Sequence, residues 1–131
     1  MVSITGLDHL VLTVRDFKET CAFYGEVLGM AIEEFQPSDG TIRTALKFGE
    51  QKINLHLAGR EFEPKARNPV PGAADLCFLT DRTLSEWQNH LEQTGVVILD
   101  GPVSRTGAKG DITSLYIRDP DGNLIEIATY D

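Results

Sequence analysis

Four short, mostly apolar stretches of this chain each carry a residue that can bind a metal or move a proton. Residues 7–14 hold His9, residues 52–57 hold Asn54 and His56, residues 75–80 open on Asp75, and residues 124–128 set Glu126 between Ile125 and Ile127. Side chains alternate across a strand, so each stretch sorts into two faces. His9, Val11 and Thr13 oppose Leu10, Leu12 and Val14; Asp75, Cys77 and Leu79 oppose Leu76 and Phe78. Asn54 and His56 oppose Ile53, Leu55 and Leu57, and Glu126 opposes its two isoleucines. Every stretch thus offers a polar or ionisable group on the face away from its apolar side. Imidazole and carboxylate are first-choice ligands for Zn, Ni, Mn and Fe. A carboxylate between isoleucines is costly to bury unless it is paired, protonated or bound to a metal. Alternation leaves a second reading open, a solvated face of antiparallel sheet with scattered polar residues. A third has no metal: Asp75 and Glu126 brought together repel, and one of them becomes a general base.

Other residues carry weaker chemistry. Arg105 and Lys109, with Gly107 and Gly110, read as a flexible basic loop able to grip a substrate carboxylate or phosphate, or as a solvated hairpin. Arg43 and Lys47 share a strand face and add charge to the same region. Cys21 falls on a helical stripe and reads as an inert core residue, whereas Cys77 lies beside Asp75 on the polar face. His90 reads as a surface histidine, and Trp87 as a core or dimer-interface aromatic.

The positioning elements follow from punctuation and period. After the first strand, Asp16 and Glu19 have the spacing of a capping box. Phe17, Cys21, Tyr24 and Leu28 then form one helical stripe, ended by Gly29. Strands are expected over 30–35, 41–48 and 52–57, and a proline-containing crossing loop over 59–73. The order then starts again. A strand at 75–80 precedes a capping box at Thr83 and Glu86, the stripe Leu84, Trp87, Leu91, and a closing Gly95. Strands at 96–99, 112–118 and 124–128 complete the second half, the last two separated by Asp119-Pro120-Asp121-Gly122. Adding 66 to each number lays His9 on Asp75, Leu12 on Phe78 and Gly29 on Gly95. The chain therefore reads as a duplicated βαβββ unit, module 1 at about 4–58 and module 2 at about 74–130, in one α+β domain over 1–131. Its mixed sheets are expected to curve around a cleft.

Composition narrows the class. The 131 residues are 41% hydrophobic, enough for a core and too many for disorder. Twelve Lys and Arg against 20 Asp and Glu, a formal charge of −8, argue against nucleic-acid or anionic-membrane partners. No apolar run reaches the ~18 residues of a membrane span, and the N-terminus lacks a signal-peptide pattern. Two cysteines make no disulfide framework, so the cytoplasm is the expected compartment.

Two motifs carry a resemblance. The segment 8–16 with Phe23-Tyr24 and Leu28-Gly29-Met30, and the segment 119–127, are similar to the opening and closing signatures of the vicinal oxygen chelate superfamily. That group includes glyoxalase I, thiol transferases, extradiol dioxygenases, an epimerase and bleomycin-binding proteins. The segments 63–72 and 105–110 further resemble glyoxalase-domain proteins of poorly defined activity. The resemblance implies metal slots at His9, Asp75 and Glu126, with Asn54 or, after a one-pleat shift, His56 in the fourth. Asp75 stands where the group usually has histidine, which weakens the dioxygenase reading. It implies a divalent ion (Zn, Ni, Mn or Fe) acting as a Lewis acid, with Glu126 or Asp75 shuttling a proton. It also implies a lactoylglutathione-lyase-like activity on a small carbonyl compound or its thiol adduct, substrate contacts from Arg105, Lys109 and Asn54, and a homodimer. The alternatives are a non-catalytic small-ligand binder, a thiol transferase or a dioxygenase.

Overall fold

The computed structural model describes Met1–Asp131. The chain divides into two compact units, Met1–Pro71 and Gly72–Asp131. Each is a four-stranded mixed sheet with one helical segment, and together they are two tandem βαβββ modules.

Unit 1 runs β1 (His9–Val14), α1 (Phe17–Ala22), β2 (Ala31–Phe35), β3 (Arg43–Phe48) and β4 (Gln51–Leu57). Its strand order is β1-β4-β3-β2, with β1 parallel to β4 and the other pairs antiparallel. Alternation places the core as expected: Leu12, Val14, Ile53 and Leu55 are buried on one face. Asp16 caps α1 by accepting the Glu19 N–H at 2.8 Å. A wider π turn over Phe23–Val27 continues α1, and Leu28 N–H reaches back five residues to the Phe23 carbonyl at 3.3 Å. Thr20, Tyr24 and Val27 are the buried residues here, while Phe17, Cys21 and Leu28 are half-buried. Tyr24 holds its expected place on the buried face, while Thr20 and Val27 are buried in place of Cys21 and Leu28. A threonine packs through its methyl group, which a pattern of apolar letters does not register.

Unit 2 runs β5 (Asp75–Leu79), α2 (Leu84–Gln93), β6 (Asp100–Thr106), β7 (Asp111–Arg118) and β8 (Leu124–Tyr130). The order β5-β8-β7-β6 repeats that of unit 1, with β5 parallel to β8. Thr83 and Glu86 form a complete capping box at α2. Leu91 packs from α2 into a core with Leu115, Ile117, Ile125 and Ile127. Trp87 is half-buried, its indole N–H donating to Thr80 Oγ1 at 2.8 Å, and His90 meets it edge-on at 5.5 Å.

Two strand assignments need correction. The strand expected at 96–99 lies instead at Asp100–Thr106, because Gly101-Pro102 does not break it. Gly101 sits at φ 107°, and the pairing with β7 shifts register there, so a bulge carries the strand past the proline. A side chain at 101 would meet the Ser114 carbonyl and Leu115, so only glycine fits. The last strand also runs two residues beyond its expected end, to Tyr130.

Candidate functional site

The open face of unit 2, opposite its helix, gathers the densest chemistry. On β8, Glu126 is paired with Cys77 of β5 on one side and Tyr116 of β7 on the other. Ser114, one pleat from Tyr116, donates its hydroxyl to Glu126 Oε2 at 2.5 Å. Arg105 Nε donates to the Tyr116 hydroxyl at 3.0 Å and Nη1 to the Ser104 carbonyl at 2.9 Å, which fixes the guanidinium beside the phenol. Glu126, Cys77, Tyr116 and Arg105 border a cavity of about 400 Å³ whose apolar walls are Leu79, Ala108 and Ile112. Its rim is the turn after β6. Lys109 N–H donates to the Tyr130 hydroxyl at 3.1 Å, and Gly107 N–H to the Gly110 carbonyl at 2.8 Å. A side chain at 107 would meet the Gly110 carbonyl at 2.9 Å and the Tyr130 hydroxyl at 3.1 Å, so the turn lies flat on Tyr130. The loop read as flexible is therefore a hairpin with fixed contacts, and Arg105 belongs to the strand.

Charge and burial set the states of these groups. Solvent reaches Cys77, yet packing around the sulfur, then the charge and hydrogen bond of Glu126 and the charge of Asp75, push its thiol up to about 11. It is a neutral thiol near pH 7 and a poor nucleophile. Burial raises Tyr116 first and Glu126 adds to it, while the Arg105 hydrogen bond pulls the other way. Tyr116 therefore keeps its proton.

Unit 1 presents the equivalent face with other residues. Asn54 pairs with Val11 and Ala45 just as Glu126 pairs with Cys77 and Tyr116. Asn54 is thus the counterpart of Glu126, and His56 is the counterpart of Ala128. Backbone pairing makes Asn54, not His56, the residue equivalent to Glu126. The Asn54 Oδ1 is buried without a hydrogen-bond partner. His9 stands one pleat away at the start of β1, its Nδ1 2.8 Å from Asp8 Oδ2, which leaves Nε2 for another partner. His56 is 7% exposed and meets Phe62 edge-on at 5.5 Å, while the Arg43 guanidinium lies 3.9 Å over the same ring. Burial, then Arg43, hold the His56 imidazole below its usual range, with Glu61 opposing. Arg43 is itself held by Asp39 at 2.8 Å and Thr41 at 3.1 Å, and Lys47 stands 3.9 Å from Glu33. Arg43 thus serves a local stack around Phe62, beside a cavity of about 170 Å³.

The expected site residues therefore fall into two sets. His9, Asn54 and His56 share the open face of unit 1; Asp75, Glu126 and Arg105 share that of unit 2. Asp75 lies at the exposed start of β5, outside the residues lining the cavity, and the Lys109 ammonium lies 5.7 Å from the Tyr130 ring. An imidazole nitrogen, an unpartnered amide oxygen and two carboxylates suit a hard or borderline divalent cation. No group of three or more His, Cys, Asp and Glu side chains is arranged here to hold one. Ser114, Tyr116 and Tyr130 escaped the sequence reading. Alternation along β7 puts Ser114 and Tyr116 on the face of Glu126, but neither is a common metal ligand and neither stands out by residue type.

Two units of the same topology, one with a carboxylate-centred pocket on its open sheet face, define a class. The chain belongs to the Glyoxalase/Bleomycin resistance protein/Dioxygenase superfamily, whose model matches residues 6–127. It is 54% identical over 127 residues to "Virulence protein STM3117" of Salmonella typhimurium, covering 97% of this chain and 85% of that one. It is 50% identical over 129 residues to "Glyoxalase domain-containing protein RDO1" of Mycosarcoma maydis, covering 98% and 70%. A solved structure from the mobile metagenome of V. Pseudocholerae superposes with a TM-score of 0.94 at 58% identity, over 100% of this chain and 98% of that one. No helix is long and apolar enough to cross a membrane.

Proposed function

We propose that the protein is a glyoxalase-like, metal-dependent lyase or isomerase acting on a small carbonyl compound or its thiol adduct. The observation that carries this reading is Glu126, a carboxylate oriented by the Ser114 hydroxyl and flanked by Tyr116 and Cys77 at a cavity of about 400 Å³. Glu126 takes the proton from the carbon beside the substrate carbonyl and returns it. Ser114 keeps Oε2 in one place, so the carboxylate meets the substrate in one orientation. Leu79, Ala108 and Ile112 offer apolar contact to the carbon skeleton of the substrate. Tyr116 stays protonated and offers a hydrogen bond where negative charge grows on substrate oxygen. Arg105 binds the polar end of the substrate, with Lys109 near the rim. His9 and Asn54 in unit 1, and Asp75 and Glu126 in unit 2, are the candidate ligands for a divalent ion, Asn54 rather than His56 being the counterpart of Glu126 by pairing. When bound, the ion supplies Lewis-acid polarisation of substrate oxygens. The reading implies a homodimer in the cytoplasm.

Metal analysis of purified protein tests this, beside His9→Ala and Glu126→Ala. The expected result is a stoichiometric divalent ion in the wild type, reduced in both variants, with activity toward thiol adducts of small aldehydes. No bound metal, together with no activity on adding one, overturns it. Non-catalytic ligand trapping is the second reading, favoured by the apolar walls of the same cavity. Saturable binding without turnover would select it.

A further inference from the structure

The cavity of unit 2 holds one fixed cation and one fixed carboxylate, Arg105 bound to the Tyr116 phenol and Glu126 held by Ser114. Arg105 Nε is bound to the Tyr116 hydroxyl at 3.0 Å, and Tyr116 pairs across the sheet with Glu126. Arg105 and Glu126 thus stand on either side of Tyr116 on one sheet face, and both line the cavity. Arg105 is not spent on its neighbours. Nε and Nη1 have partners, but Nη2 has only Asp100 at 3.7 Å, a loose ion pair open to solvent. Its free edge suits a carboxylate. Glu126 sets the opposite requirement, because an ionised carboxylate only accepts hydrogen bonds. What lies against it must donate.

Those two demands, met in one cavity, select the ligand. A neutral aldehyde or ketone leaves Arg105 unused and brings a lone pair toward Glu126. A phosphate dianion is repelled by Glu126 in a chain of formal charge −8. A carboxylate with a hydroxyl on the next carbon satisfies both, its acid on Arg105 and its hydroxyl on Glu126. The body of the molecule then lies against Leu79, Ala108 and Ile112. We propose that this cavity is a recognition site for small 2-hydroxy carboxylates, a class that includes the thiol adduct of a 2-oxo acid. The inference rests on the placement of substrate in this cavity proposed above and narrows the substrate from any small carbonyl compound to one bearing a carboxylate.

Calorimetric titration separates the contributions, using D- and L-lactate against propionate, which lacks the hydroxyl, and propane-1,2-diol, which lacks the acid. At least one lactate enantiomer should bind at least about tenfold tighter than either analogue, since each analogue leaves one of the two charged groups without its contact. Arg105→Gln should weaken lactate at least about tenfold with little effect on the diol, and Glu126→Gln should erase the preference over propionate. Arg105 is exposed at a strand end, so its variant should fold; Arg105→Lys, which keeps the charge without the fork, should recover part of the affinity. Propionate within threefold of lactate, an unchanged lactate affinity in Arg105→Gln, or no saturable lactate binding overturns the proposal. Lactate binding that follows this pattern in a protein with no metal and no turnover removes the lyase reading and leaves this one standing.

Discussion

The two units share a strand order and a pairing register, and almost none of their open-face chemistry. Where unit 2 has Glu126 with Ser114 and Tyr116 beside it, unit 1 has Asn54 with Arg43 and Ala45 at the corresponding positions. Where unit 2 has Ala128, unit 1 has the buried His56. The consequences are physical. Small residues around Glu126 and the flat turn at Gly107 leave about 400 Å³ of space. In unit 1, Phe62 lies between Arg43 and His56, and the adjoining cavity is about 170 Å³. One backbone thus supports a polar pocket in one copy and a packed aromatic stack in the other. The helix-facing sides did not diverge in this way, because close packing tolerates only residues of similar shape there.

The functional half of this contrast is the one most open to attack. Glu126→Gln should lower kcat/KM about 10²–10⁴-fold, the usual range for losing a proton-transfer group. Asn54→Ala, at the counterpart position, should cost no more than about tenfold, measured with the same thiol-adduct substrate. Equal losses would mean that the two faces contribute equally, and the contrast would fall.

Packing sharpens the other side of the comparison. Leu55 and Ile127 occupy corresponding core positions and are 0% and 2% exposed. Leu55→Ala and Ile127→Ala should each destabilise the protein by about 2–5 kcal/mol in denaturant titration. A nearly silent change at one position would show that the duplicated cores do not carry similar loads.

The smallest effect is a pH dependence confined to unit 1. His56 is held below its reference value of 6.5, so the folded protein prefers the neutral ring. The unfolded chain binds a proton there first, and stability therefore rises with pH through this region. The contribution is full above about 6.5 and is lost as pH falls through the lower folded value. Protection factors in β4, with the intrinsic pH dependence of amide exchange divided out, should fall as pH drops from about 6.5 toward the folded value and then level off, and His56→Leu should flatten the response. A fall of equal size in the counterpart strand β8, which carries Ala128, would assign the effect to something other than His56.

Much of the fold could be read from letters alone. Asp16-x-x-Glu19 and Thr83-x-x-Glu86 marked both helix starts, and each cap accepts the hydrogen bond that the spacing implies. The alternation of Leu12 and Val14, or of Ile125 and Ile127, named the buried faces. Reading failed where a local rule was overridden from a distance. Gly101-Pro102 has the composition of a turn, yet β7 pairs with the strand around it through a bulge. Thr20 is a polar letter with a buried methyl group. Tyr130 lay beyond an end point drawn at the last aliphatic residues. At the site, Glu126 and Arg105 were legible as charges in unusual places, whereas Ser114 and Tyr116 become informative only with the partners that β7 and β8 give them.

Sequence by itself determined which residues share a face, because a two-residue period is a property of one strand and needs no partner. It also determined that the chain repeats, since caps, stripes and terminating glycines recur in order. Tertiary structure alone decided which residue stands opposite which. Asn54 rather than His56 matches Glu126, and Arg105 rests on Tyr116 eleven residues away, because hydrogen-bonded register links segments through turns and bulges whose geometry no single strand encodes.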